Sequence, residues 1–220
     1  MEKVVVGWSG GKDSAFALYE ILKAQTYEVA ALFTTVTRDY DRVSIHGVRR
    51  VLLEAQAEAL GLPLEVMFLH KGASDIDYGT AFVDALKKFK NIGVERVVYG
   101  DIFLEDVKKY RDNLLSKVGM LGVYPLWKKD TTQVANAFID LGFKAIITVV
   151  DSQVLDNVYT GREYDKQFLA DLPVTVDPCG ENGEFHSYVY DGPIFKKAVA
   201  FKRGQVLLRE NRFWYCDLLP

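Results

Sequence analysis

Three valines occupy residues 4–6, Gly7 and Trp8 follow, and from Ala15 the apolar positions Phe16, Leu18, Tyr19, Ile21 and Leu22 recur at helical spacing. The chain therefore opens as strand, turn, helix, and the same alternation continues. Residues 29–35 read as a second strand and residues 64–69 as a third. Between them a helix over 48–60 places Val48, Val51, Leu52, Ala55 and Ala59 on one face and ends at Gly61. A helix over 81–89 leads to a fourth strand over 94–99, which stops at Gly100-Asp101. A helix over 105–117, a short segment over 123–127 and a helix over 132–141 precede a fifth strand over 145–150. Strand then helix, repeated, predicts an α/β fold: an open, mostly parallel five-stranded sheet with helices on both faces. Beyond residue 150 the rhythm breaks. Short strands over 188–190, 197–201 and 205–208, joined by turns at Asp191-Gly192-Pro193 and Arg203-Gly204, predict a small C-terminal β-rich appendage. The expected division is a body over 1–150 and a substrate-side subdomain over 151–220.

Composition narrows the classes. Over 220 residues, 27 Lys and Arg against 30 Asp and Glu give 27 − 30 = −3, which argues against a broad nucleic-acid surface. No apolar run reaches membrane-spanning length and no signal peptide is read at the N-terminus. With only Cys179 and Cys216, neither a disulfide scaffold nor a cysteine zinc site is supported, so the expected location is cytoplasmic. Composition does not decide between a monomer and a homo-oligomer.

The turn after the first strand concentrates the chemistry. Ser9, Gly10, Gly11, Lys12, Asp13 and Ser14 put bare backbone and charge at the start of a helix. Glycines let peptide N–H groups converge, the helix adds the positive end of its dipole, and Lys12 adds a full charge, so the turn suits a phosphate or pyrophosphate. It is not a Walker A loop, because Gly11-Lys12 is followed by Asp13 and lacks the upstream glycine, and its glycines also miss the dinucleotide spacing. A carboxylate in an anion turn makes sense where a divalent metal bridges it to phosphate oxygens, which makes Asp13 the candidate metal ligand.

Ligands of open parallel sheets bind beyond the carboxyl ends of the strands. That rule gathers Thr34 and Thr35, Gly100 and Asp101, and Asp151-Ser152 around the turn, with His46 on the same rim. Thr34 or Thr35 suits a nucleoside contact or is a satisfied strand-end hydroxyl; Asp101 is a site carboxylate or a helix cap; Arg111 reaches a phosphate or faces solvent. A second dense patch lies at residues 179–187, where Glu181, Asn182, Glu184 and His186 are clustered. Period-two alternation would put Glu184, His186 and Tyr188 on one face. Such a set could steer an amine, take a proton or hold a metal, or it could be an ion-paired turn.

The Ser9–Ser14 motif resembles the pyrophosphate loop of the N-type ATP pyrophosphatases. With HGVRR at 46–50, QAEALGLPL at 56–64, YGDI at 99–102, YPLW at 124–127 and CGENGEFHSYVYDGPIF at 179–195, the whole chain resembles the diphthine–ammonia ligase family. The resemblance implies an adenine nucleotide alpha hydrolase-like body that uses ATP and Mg2+, and a C-terminal part bearing the Gly-Glu-x-Gly-Glu-Phe segment. Family members acting on diphthine resemble GEGGEFET there, whereas this chain has Asn182, His186 and Ser187; the GENGEFH form resembles a separate branch that also occurs in organisms without diphthamide. The implied reaction adenylates an acceptor carboxylate, releases pyrophosphate and lets ammonia displace AMP. Lys12 and Asp13 would serve the nucleotide, and Glu184 or His186 would hold or deprotonate the nitrogen. The acceptor is diphthine on translation elongation factor 2 or an unidentified small molecule. Two alternatives stay open: a ligase or sulfur transferase of the same superfamily acting on another small-molecule or RNA acceptor, and a non-catalytic adenine-nucleotide sensor.

Overall fold

The computed structural model describes residues 1–220. Its first sheet contains β1 (Glu2–Gly7), β2 (Tyr27–Thr37), β3 (Arg42–Val43), β4 (Leu64–Leu69), β5 (Val94–Val98) and β6 (Leu121–Val123). Five of these run parallel in the order β4-β2-β1-β5-β6, and the two-residue β3 pairs antiparallel with the end of β2, making six strands rather than five. On β1 the pleat sends Val4 and Val6 into one core and Val5 into the other, all at 0% exposure. A strand buried on both faces needs apolar side chains in succession, which is what three valines supply.

Helices cover both faces. α1 (Lys12–Ala24), α2 (Arg50–Leu60) and α5 (Thr131–Asp140) pack on the Val4 side, and α3 (Asp75–Asn91) and α4 (Glu105–Ser116) pack on the Val5 side. α2 ends as expected in a left-handed Gly61, but Val51, expected on its buried face, is 43% exposed, and Leu53, Gln56 and Ala57 are buried instead. No helix is long and apolar enough to cross a membrane.

The run at 145–150 does not complete the parallel sheet. It forms β7 (Lys144–Asp151) in a second, antiparallel sheet of order β8-β7-β10-β9, with β8 (Phe185–Asp191), β9 (Lys202–Arg209) and β10 (Phe213–Leu219). An apolar run reads alike in either setting, whereas the true fifth parallel strand, β6, is three residues long with a central glycine and leaves almost no pattern. Residues 197–201 are not a strand, and Arg203-Gly204 lies inside β9. The hairpin turns instead at Glu210-Asn211, with φ of 54 and 51. Ile146, Phe185 and Tyr188 of the second sheet join the same buried cluster as Leu18 and Leu52, so the two sheets share a core across α1 and α2.

Candidate active site

Where β1, β2 and β5 end, a cavity of about 570 Å³ opens between the first sheet, the loop preceding α2 and the start of β8. One end is the Ser9–Ser14 turn. Gly10 takes φ 78, and its carbonyl accepts from the Val189 N–H at 2.9 Å and from Gln56 Nε2 at 3.0 Å. Gln56 also accepts from Trp8 Nε1 at 2.9 Å and donates to the Val189 carbonyl at 2.6 Å. This fully buried amide ties turn, helix and second sheet together. Its sequence signal was a polar residue on the apolar stripe of α2, a feature not read as functional. Gly11 N-caps α1 without a side chain, leaving the helix dipole directed at the cavity, and Ser187 Oγ accepts from the Lys12 N–H at 3.1 Å. Gly100 lets the loop after β5 approach the same helix end: a Cβ there would stand 2.6 Å from the Asp13 backbone.

Lys12 is buried and donates to both Asp13 oxygens, at 2.8 and 2.9 Å, beneath the rings of Phe185 and Tyr164. Burial opposes its charge, but the Asp13 carboxylate beside it holds the ammonium above its ordinary pKa. Burial likewise pushes the Asp13 carboxyl up, against the pull of Lys12.

The opposite end is aromatic. Phe33, Tyr78, Phe82 and Tyr99 line it with Thr34, Thr35 and Arg111. The Arg111 guanidinium lies 4.3 Å from the Tyr99 ring centroid, and its Nε is 3.0 Å from Asp101 Oδ2. Burial raises the Asp101 carboxyl despite Arg111, and the charge of Asp13 adds to the rise. Thr34 Oγ1 and the Tyr99 hydroxyl, each on a residue 3% exposed, have no hydrogen-bond partner in the protein. Both residues line the cavity, Tyr99 from the sheet face that carries Phe33 and Phe82 and Thr34 from the face that carries Leu32 and Val36.

Between these ends stand Glu181, His186 and His46. The imidazole rings are 4.6 Å apart, and His46 Nδ1 is 3.4 Å from the Ser187 carbonyl. Burial lowers His46 to about 4 and puts His186 well below its ordinary value, so both are neutral at pH 7. Glu181 Oε1 accepts from the N–H groups of Ile102 at 2.7 Å and Phe103 at 3.4 Å, bridging the second sheet's loop to the end of β5. Burial, then the charge of Asp13, pushes Glu181 up to about 7.

The structure thus brings together Ser9, Lys12, Asp13, Ser14, Thr34, Thr35, His46, Gly100, Asp101, Arg111, Glu181 and His186 on one cavity. It does not bring Glu184 there. β8 begins only at Phe185, so Glu184 belongs to the preceding loop, where it accepts from Asp177 N–H (3.1 Å), Asn182 N–H (3.0 Å) and Asn182 Nδ2 (3.0 Å). Asn182 is exposed and its side chain is spent on that contact. Of the expected face of Glu184, His186 and Tyr188, Glu184 lies outside the strand, His186 lines the cavity, and Tyr188 is fully buried and donates to the Leu52 carbonyl at 3.0 Å. Asp151 lies in the second sheet and binds Arg212 at 2.6 Å, away from the cavity. Tyr99, Phe185, Ser187 and Gln56 are site residues that sequence reasoning missed.

These features define an α/β protein with a glycine-rich turn and a helix N-terminus at the carboxyl edge of a parallel sheet, closed over by a second sheet. Family models described as the diphthamide synthase N-terminal and C-terminal domains match residues 2–122 and 130–218. The chain belongs to the diphthine–ammonia ligase family. It is 26% identical over 218 residues to the diphthine–ammonia ligase of Schizosaccharomyces pombe (strain 972 / ATCC 24843), covering 90% of this chain but 36% of that relative. The Danio rerio diphthine–ammonia ligase is 25% identical, over 92% of this chain and 88% of its own length, and the Homo sapiens one 23%, over 91% and 83%.

Proposed function

We propose that the chain is an ATP-dependent amide ligase that forms AMP and pyrophosphate. The observation that carries this reading is one cavity with a glycine-rich helix N-terminus at one end, an aromatic end bearing the unmatched Tyr99 hydroxyl at the other, and a carboxyl poised near neutrality on its wall. The nucleoside occupies the aromatic end and the phosphates lie along the Ser9–Ser14 turn. The acceptor carboxylate attacks the α-phosphorus and pyrophosphate leaves into the turn. Lys12 and the N-terminus of α1 take up its charge. Ammonia then attacks the acyl carbonyl, AMP leaves with the bonding electron pair, and Glu181 takes the proton that the nitrogen sheds. This assigns to Glu181 the role that the sequence suggested for Glu184 or His186.

The donor set fits Mg2+. No cluster of three metal-binding side chains is present, but Mg2+ is commonly held by one or two carboxylates together with substrate phosphates. Asp13, with Asp101 on the same wall, would hold it, and when bound it offsets phosphate charge. The buried Cys179 and Cys216, both with thiols pushed up by burial, support amide formation over sulfur transfer.

For the acceptor we propose the diphthine carboxylate on translation elongation factor 2, approaching from the second-sheet side. A second reading, the same chemistry on a small-molecule carboxylate, is favoured by His186 and Ser187, which replace the resembled Glu-Thr and line the cavity. Incubation with ATP, Mg2+, ammonium and each acceptor, with mass analysis of nucleotide and acceptor, tests both. AMP with pyrophosphate and an amide is expected; ADP with phosphate refutes the class.

Tyr99→Phe offers a sharper probe of the aromatic end. Removing an unmatched hydroxyl should raise the melting temperature of the free protein. It should also weaken ATP binding five- to tenfold, about 1–1.5 kcal/mol for one lost hydrogen bond. Calorimetric titration beside a thermal melt reads both, and unchanged affinity would take the hydroxyl out of nucleotide recognition.

A further inference from the structure

His46 stands on a strained turn that is held from the far end of the chain. The His46 N–H donates to the Ser44 carbonyl at 2.8 Å, closing a γ-turn around Ile45, whose φ is 68. Positive φ is costly for a β-branched residue, and this form of γ-turn is rare. The Ile45 side chain is 68% exposed, so its own packing does not explain the conformation. The turn sets the His46 ring against His186 on the cavity wall.

Such strain persists only where the surroundings over-determine it. Here Arg42, before the turn, donates from Nη1 to the Gly47 carbonyl at 2.7 Å and to Asp217 Oδ1 at 2.8 Å. Arg49, after the turn, donates from Nη2 to Asp217 Oδ2 at 2.7 Å and from Nε to Oδ1 at 3.3 Å. One carboxylate on β10 therefore grips both flanks. Two residues earlier on β10, the Tyr215 ring lies directly against Gly47. Burial alone would raise the Asp217 carboxyl, but Arg49 and Arg42 hold it below its ordinary range, so the clamp is ionised at neutral pH.

We propose that Asp217 is a positioning residue: through Arg42 and Arg49 it holds the strained turn that presents His46 to the cavity, making the C-terminal strand part of the acceptor side. Only the substrate facing His46 rests on the ligase reading; the clamp does not. The test is a histidine-labelled NMR titration of the full chain, with His70→Gln and His186→Gln used for assignment. The groups acting on His46 are Lys12 from α1, and His186 and the Ser187 carbonyl from β8. In the wild type His46 stays neutral until the pH falls to about 4. In Asp217→Asn the turn relaxes, His46 gains solvent, and its titration moves toward 6.5, the ordinary value. Asp217→Glu, which keeps the charge, restores the low value in part. In parallel, the acceptor KM of Asp217→Asn rises roughly tenfold, as expected for loss of a charge-assisted contact, while the ATP KM is unchanged. Should Asp217→Asn not fold, Arg49→Gln, which opens one flank at a more exposed position, is titrated instead. A His46 that titrates at about 4 in every folded variant, with only the melting temperature lowered, reduces Asp217 to a structural residue and overturns the proposal. A wild type that makes no AMP refutes the ligase reading and leaves the titration result standing.

Discussion

Replacing Lys12 with alanine is expected to slow pyrophosphate release from ATP by roughly thirty- to a thousandfold, the 2–4 kcal/mol that one charged donor contributes at a developing anion. The structure gives the prediction a second part. Lys12 is paired with Asp13 inside the protein, so the substitution leaves a carboxylate without its cation. A buried, unpaired charge would destabilise the fold severely. Asp13, however, already has its pKa raised by burial and lines the cavity, so it answers by taking a proton. Lys12→Ala should therefore remain folded, with a modest loss of melting temperature that deepens as pH rises and Asp13 is forced to ionise. Steady-state AMP and pyrophosphate release, with melts at two pH values, reads both parts. Near-normal turnover would remove Lys12 from the chemistry.

The same pair shows what sequence could and could not convey. A glycine-rich turn between an apolar strand and a helix announces an anion site because local backbone chemistry alone makes it one. The three valines of β1 announce a strand buried on both faces for the same reason. That Lys12 is buried against Asp13 at the cavity wall depends on the Phe185 and Tyr164 rings, which arrive from beyond residue 160. No window around Lys12 contains them. The strand at β7 was legible as a strand but not as a member of its sheet, since burial on two faces looks identical in either sheet. The His46 turn lies further still from local reading. Nothing in sequence links Arg42 and Arg49 to Asp217 until a register shift between Cys216 and Leu218 and the packing of two sheets bring them together.

The two glutamates of the Gly-Glu-Asn-Gly-Glu segment make the sharpest contrast, because they are alike in sequence and opposite in placement. Alternation assigned Glu184 to the site on the premise that the strand had already begun. It begins one residue later, and in a loop the carboxylate goes where N–H donors are: Glu184 closes the loop, while Glu181 reaches the cavity. Glu184→Gln keeps the shape but turns an acceptor into a donor facing N–H groups. It should lower stability by about 1–3 kcal/mol and leave amide yield per folded molecule unchanged. Glu181→Gln should do the reverse, folding normally and losing roughly a hundred- to ten-thousandfold in amide formation, the range for a positioned base.

The pH dependence separates the roles further. The folded pKa of Glu181, about 7, lies above its ordinary 4.5. The protonated form is thus the one the fold prefers: its stabilising contribution is complete below 4.5 and is lost as pH rises through 7. Amide formation runs the other way, rising through pH 7 as the carboxylate becomes free to accept a proton. With free ammonia held constant, Glu181→Gln, neutral at every pH, should show a flat and low rate profile, and its melting temperature should exceed the wild type's by a margin that grows between pH 4.5 and 7 and is constant above 7. Single-turnover amide yield and thermal melts across pH 5 to 9, on the same preparations, decide the matter. A wild-type rate limb near 7 that survives in Glu181→Gln would move the base elsewhere on the cavity wall, and full activity in Glu181→Gln would remove it from catalysis altogether.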